Sequence, residues 1–488
     1  MALRAPLLGN PVLHVDEQFY LLVGDRMLHG ALPYVDIWDR KPIGLFLLFA
    51  GFRLLGGDGV WCYQIAAIAS VTATAYVIYR IARQIAAPAG AFWAGLAYIL
   101  CLSGYNCFGG QSPVYYNLPV ALVGLLLSRT LTTSGSPQLL RNGLLAMALI
   151  GLSIQLKYTV IFEGGAMGLA LIWRARADGW GWPRLLAAWA SWISMAVLPT
   201  ALALGYYAAL GHGPAFVHAN FLSIFGRQEV FSESLWRLTK ETICLIPIWL
   251  AIFLAPRRLP PAVGSNLAAL PLLKAWALVA VLGFLVFGTW YDHYVAPVLV
   301  PLCIIAAPAL GRPRKQGLWY TVVLIGFGTL AAAGVITFNV TEHGFRPDIT
   351  RTTALIQPHI GTGTGTGTGK PPGNGCLYIS DGDPILYMTT NSCLVSSYIF
   401  SSHLSSMVDV AALGIDVNAE MQRIMAAQPS VVMIPTVAQS LPVNWASRGI
   451  MQKALAQDYV RFAITKIGTR EFQLYRLKPQ TPPRPAEQ

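Results

Sequence analysis

Two carboxylates stand side by side at Asp16 and Glu17, in the stretch VDEQFYLLVGDRMLHGALPYVDIWDRKP. A carboxylate in a loop or at a helix start can take the proton from an attacking hydroxyl or amine. Sequence neighbours cannot share one helix face, so one acid can address a substrate while the other caps a helix or binds a metal ion. The plainer use is as N-cap and first-turn acids of a helix over 17–29, complementing its dipole; the residues leave both uses open. Arg40-Lys41-Pro42 closes the same segment. Two adjacent cations before a rigid proline suit a lipid phosphate, whereas snorkelling to headgroups is the commoner role. Lys157 stands between two apolar runs, where an ionisable side chain is costly enough to argue for function. Tyr291-Asp292-His293-Tyr294 makes a polar, aromatic turn between two apolar runs that reads equally as a functional element or as an interfacial aromatic belt with a solvated acid. Segment 211–238 carries His212, His218, Arg227, Glu229 and Glu233 without metal-ligand spacing, and reads as a lid or an acceptor groove.

These residues are set in a chain composed for a bilayer. Hydrophobic residues make up 55% and charged residues 11%, with a mean hydropathy of +0.53, whereas about a quarter of a soluble domain is charged. The net charge of +12 comes from Lys and Arg placed singly at the ends of apolar segments. That is the pattern of topology determinants and headgroup contacts with membrane lipid, and it argues against nucleic acid as a partner. A helix needs about twenty apolar residues to cross the hydrocarbon core. The chain offers about ten such segments, roughly 60–82, 87–105, 114–131, 142–157, 158–173, 185–210, 239–256, 270–289, 294–311 and 318–338. The shorter run at 43–55 contains Arg53 and reads as an interfacial helix.

Basic residues fall in every second connection: Arg80 and Arg83; Arg129 and Arg141; Arg174, Arg176 and Arg184; Arg257, Arg258 and Lys274; Arg312, Arg314 and Lys315. The positive-inside rule assigns those to the cytoplasm, so the Asp16-Glu17 segment, 104–113, 211–238, 289–293 and everything after 339 are expected to face outward. The repeat GTGTGTGTG at 361–369 reads as a flexible tether. Beyond it CLYIS and SVVMIP read as buried strands, 415–427 as an amphipathic helix, and RFAITKIG with EFQLYRL as a hairpin. The predicted organisation is a first outward loop (1–59), a transmembrane helical domain (60–339), a linker (340–374), an outward α/β domain (375–478) and a disordered tail (479–488). The fold class is mostly α, a polytopic membrane helical bundle with outward-facing loop helices and a small C-terminal α/β domain. Cys62, Cys101, Cys107, Cys244 and Cys303 lie in or beside apolar helices and read as inert, whereas Cys376 and Cys393 could pair in an oxidising compartment.

The segment DEQFYLLVGDRMLHGALPYVDIWDRKPIGLFLLFAGFRLLG resembles the first outward loop of the GT-C superfamily of polyprenyl-phosphate-sugar glycosyltransferases. Within it, the branch of protein O-mannosyltransferases and lipid A aminoarabinose transferases is the most similar. The Asp-Glu pair, an aromatic soon after it, a Met-x-x-x-Gly helix end and Lys-Pro before the next apolar helix occur in order. Further landmarks are Lys157 and His293-Tyr294 before a proline-containing span. The resemblance implies an inverting hexosyl or pentosyl transferase of the bacterial plasma membrane. Its donor would be a polyprenyl-phosphate-linked sugar, and its acceptor a glycan, lipid or protein on the outer face. Asp16 would be the general base, Glu17 the acid that orients or binds a divalent cation, Lys41 the contact to the lipid-linked phosphate, and Arg40, Lys157, His293 and Tyr294 further substrate contacts. No nucleotide cofactor is expected, in keeping with the lack of a dinucleotide or P-loop signature.

Two departures stand out. Aminoarabinose transferases carry an acid immediately before the lysine, where this chain has Arg40, and many members have an acid in the second outward loop, where this chain has Tyr116-Asn117. The competing readings are a transporter or flippase of a lipid-linked sugar, which would place ionisable residues at mid-membrane on broken helices, and a non-catalytic scaffold. Relatives reach the first outward loop through a transmembrane helix, so the native reading frame is expected to extend N-terminally by one apolar span of about twenty residues, with Met1 a misassigned or truncated start.

Overall fold

His14 opens the first helix, α1 (Val15–Leu28), its ring accepting from the Asp16 backbone N–H at 3.2 Å; Asp16 and Glu17 lie in the first turn and Arg26 in the last, each complementing the dipole. In this computed structural model residues 4–133, 138–253, 267–311, 315–360 and 375–478 are described. Arg257, Arg258, Arg312 and Arg314 of the basic connections, the repeat at 361–369 and the tail from 479 lie outside the described residues.

After α1 come α2 (Ile43–Leu54), α3 (Val60–Ala82), α4 (Pro88–Gly104), α5 (Ser112–Thr130), α6 (Leu139–Ile154), α7 (Val160–Ala177), α8 (Trp182–Ala209), the short α9 (Gly213–Val217), α10 (Phe231–Phe253), α11 (Leu270–Val286), α12 (Ala296–Ala306) and α13 (Lys315–His343). Pro88, Pro113, Pro183, Pro271 and Pro297 fall in first turns, where a missing N–H costs no helical bond. Each apolar segment of the sequence reading overlaps one of these helices. By length and composition, however, 3 helices among the described residues are long and apolar enough to cross a membrane: Val60–Ala82, Trp182–Ala209 and Gly317–His359. Others, such as α4, α6 and α11, are apolar but short. A 17-residue helix spans about 25 Å against a hydrocarbon core of about 30 Å. Charge sets α7 and α10 apart, since they carry Glu163, Arg174 and Arg176, and Glu233, Arg237, Lys240 and Glu241 respectively.

The chain separates into two compact units. The helical unit comprises Met1–Gly9, Lys41–Gly213 and Glu229–Asn339. Its helices approach closely where side chains are missing: a Cβ on Gly151 of α6 would stand 2.7 Å from the Ala196 carbonyl of α8, and one on Gly143 would run into the Trp192 ring. Small residues at such contacts are how helices pack when lipid competes for every apolar side chain.

The mixed unit comprises Asn10–Arg40, Pro214–Gln228 and Val340–Gln488. Its elements after α13 are α14 (Arg346–Ile356), β1 (Leu377–Ile379), α15 (Ile385–Thr389), α16 (Val417–Ala426), β2 (Val431–Pro435), α17 (Trp445–Asp458), β3 (Tyr459–Ile467) and β4 (Arg470–Leu477). The sheet order is β1-β2-β4-β3, with β1 parallel to β2 and the other pairs antiparallel. Gly468, at φ 61°, supplies the left-handed residue of the tight β3–β4 turn. Trp38 belongs to this unit's core, with Tyr378, Met421, Ile424, Val432 and Met451. Cys376 and Cys393 are disulfide-bonded, their Cα atoms 4.9 Å apart.

Candidate functional site

The residues singled out from the sequence divide between the units: Asp16, Glu17 and Arg40 fall in the mixed unit, and Lys41, Lys157, His293 and Tyr294 in the helical one.

In the mixed unit, α1 is held by its polar residues. Gln18 donates to Asp383 at 3.0 Å and accepts from the Ile385 N–H, and Asp383 also takes the Arg470 guanidinium at 2.8 Å. Arg26 donates to the Ser392 and Tyr387 carbonyls at 2.6 and 3.3 Å. These bonds fix the rotation of a helix whose first turn carries both acids. Asp16 is 9% and Glu17 1% exposed, so the acids stand in a protected environment rather than on a solvated face. His14 Nδ1 lies 3.5 Å from the Asp16 carboxylate. The same nitrogen accepts from the Asp16 backbone N–H at 3.2 Å.

Arg40 does not stand alone. Its guanidinium donates to Asp409 Oδ1 at 2.6 Å, Arg227 Nε approaches the same oxygen at 3.3 Å, and Ser402 Oγ donates to Oδ2 at 2.8 Å. Burial pushes the Asp409 carboxyl up, but Arg40 and Arg227 together hold it well below the usual carboxylate range. Three charges thus make a net cation. Neither Arg227 nor Asp409 was given this role in the sequence reading, because a pairing between positions so far apart leaves no spacing signal.

Among the described residues no group of three or more His, Cys, Asp or Glu side chains could hold a metal ion. Arg40, the residue before Lys41, engages Asp409. The donor set around Arg40 therefore does not fit a divalent cation.

In the helical unit, Lys41 is half-buried at the bend before Pro42, the N-cap of α2. Lys157 and Tyr294 are brought together, with the ammonium 4.5 Å from the ring centroid, a cation–π geometry. Tyr294 meets His293 edge to face at 4.7 Å, and His293 stacks on Tyr291 at 6.1 Å. Tyr291 is braced in turn, donating to Glu229 at 3.2 Å and lying under the Arg237 guanidinium at 4.3 Å. Lys157 and Tyr294 line a cleft with Tyr116, Thr159, Glu163 and Phe284. Glu163, in the first turn of α7, is 4% exposed and accepts from Trp276 Nε1 at 2.6 Å. The sequence reading passed over it, although a lone acid in an apolar span is itself a signal of function.

This arrangement of helices and sheet is found in known proteins. Over 94% of this chain and 92% of the other, the structure matches the crystal structure of ArnT from Cupriavidus metallidurans in the apo state, with a TM-score of 0.56 and 14% identity. The crystal structure of the same protein bound to undecaprenyl phosphate matches at a TM-score of 0.55 and 14% identity, over 93% of this chain and 92% of that one. The likeness is one of fold, and it agrees with the mostly α class with a small α/β part expected from the sequence. No family model and no curated protein sequence matches the chain.

Proposed function

We propose that the protein is a membrane glycosyltransferase that moves a sugar from a polyprenyl-phosphate carrier to a glycan, lipid or protein acceptor on the outer, periplasmic face of a bacterial plasma membrane. The observation that carries this reading is the likeness, over nearly the whole chain, to a structure bound to undecaprenyl phosphate. In this reading Asp16 takes the proton from the acceptor hydroxyl or amine as that atom attacks the anomeric carbon. The new bond forms on the face opposite the leaving group, the bond from that carbon to the phosphate oxygen breaks, and polyprenyl phosphate departs, inverting the anomeric centre. Lys41 and the net-cationic Arg40 cluster stabilise charge on the departing phosphate, and Glu17 orients Asp16. The bond between Cys376 and Cys393 supports an outward mixed unit, because such bonds persist in oxidising compartments.

The test is sugar transfer in reconstituted membranes with Asp16→Asn, which keeps the side chain's shape and cannot take the proton. The expected loss of turnover is about 10²–10⁴-fold with the fold intact. Near wild-type turnover in that variant would remove Asp16 from the mechanism.

A further inference from the structure

Buried in the helical unit, Glu163 belongs to none of the steps above, yet it lines the same cleft as Lys157. Burying an acid in an apolar helix is costly, and a single bond from an indole N–H compensates only part of the cost. Trp276 engages one carboxyl oxygen, while a carboxyl group can accept several bonds over its two oxygens. Around it the cleft presents the Lys157 ammonium, the hydroxyl-bearing Tyr116, Thr159 and Tyr294, and the apolar wall of Phe284. Donors and acceptors set among aromatic faces match a ring with hydroxyls on its edge and C–H groups on its face. A phosphate fits poorly, because an ionised Glu163 would repel it; for a hydroxyl, by contrast, Glu163 is a partner whether ionised or protonated.

The geometry points to the Lys157–Glu163 cleft as the subsite for the sugar ring of the lipid-linked donor, with Glu163 accepting from a ring hydroxyl and Lys157 donating to one. This rests on the glycosyltransferase reading and places Lys157 and Glu163 at the sugar end of the donor. The cleft has about 20 Å³ of room, enough for a water, so occupancy by a ring would require the aromatic walls to part, among them Phe162 and Phe287, whose centroids lie 5.9 Å apart.

The experiment compares the affinity of the full-length protein in detergent for undecaprenyl phosphate, undecaprenyl-phosphate glucose and undecaprenyl-phosphate 4-amino-4-deoxyarabinose, using native mass spectrometry. Glu163→Gln keeps an oxygen for Trp276, and Lys157→Met keeps the stem length; melting temperatures confirm that both fold. For the sugar that wild type prefers, each variant is expected to lose about tenfold of the affinity gained over the bare carrier, the worth of one good hydrogen bond. Affinity for undecaprenyl phosphate itself should stay within about twofold. Equal losses for bare and sugar-bearing carriers, or no loss in either, overturn the sugar subsite. So does a wild type that binds the bare carrier but gains nothing from any sugar. A wild type that binds no polyprenyl phosphate at all overturns the glycosyltransferase reading, and this inference with it.

Discussion

In the helical unit Lys157 rests on the face of Tyr294, whereas in the mixed unit Arg40 and Arg227 converge on Asp409. An aromatic face attracts a cation without neutralising it. A carboxylate between two guanidiniums cancels one charge of the pair and draws both into one geometry. The first arrangement places a cation at a modest gain in stability, and the second ties a loop residue, Arg40, to the folded unit that contains it. The contrast is between a cation held on a ring and a clasp of opposite charges that leaves one positive charge over.

Removing the clasp should have the largest effect. Asp409→Asn leaves two partly buried guanidiniums facing a neutral amide and is expected to cost about 3 kcal/mol, read as a fall in unfolding free energy or melting temperature. The pH dependence follows from the depressed carboxyl. Its folded pKa lies below the unfolded value of about 3.9, so the stabilisation is complete above that value and is lost as pH falls through the folded one. The gap between wild type and Asp409→Asn should stay constant from neutral pH down to about 5 and close only below about 4. A gap that closes near neutrality would break the clasp account.

Replacing Cys376 and Cys393 by Ser should cost about 3 kcal/mol through the chain entropy of a loop this short, since the two lie 17 residues apart. Intact mass showing both thiols free in protein purified without reductant would count against the bond. Lys41→Ala should weaken carrier affinity by about 1.5–3 kcal/mol, the worth of a charge-assisted bond. Unchanged affinity for undecaprenyl phosphate would take Lys41 out of the phosphate site. Tyr294→Leu sharpens the contrast most finely. Losing the ring under Lys157 should reduce affinity for the sugar-bearing carrier by about 0.5–1 kcal/mol, less than the roughly tenfold loss from Lys157→Met. An effect as large as that of Lys157→Met would mean that Tyr294 contacts substrate directly.

What the sequence made legible follows from how local each signal is. Apolar runs and alternating strands carry their own periodicity, so the helices α3 to α8 and α10 to α13, β1, β2, α16 and the β3–β4 hairpin were readable from the sequence, whereas the short α9 was not. The first-turn acids were readable too, because a cap and a dipole act within a few residues. By contrast α14 sits in a stretch read as linker, where Pro347 and three threonines weaken the helical signal. The clasp on Asp409 was invisible, since it joins positions 40, 227 and 409 through tertiary folding alone. Glu163 is the instructive miss. Its signal was local and plain, an acid between Phe162 and Gly164, and was lost because the reading followed outward loops rather than span interiors.

The glycine contacts between α6 and α8 carry a calorimetric consequence. Helices that meet through Gly143 and Gly151 among lipid tails exchange one apolar neighbour for another and release little water. Unfolding heat capacity arises from apolar surface exposed to water, so the curvature of stability with temperature should come almost wholly from the mixed unit, whose Met421, Ile424 and Val432 are sheltered from solvent. On cooling, that unit loses its margin first, while the close-packed helices hold theirs.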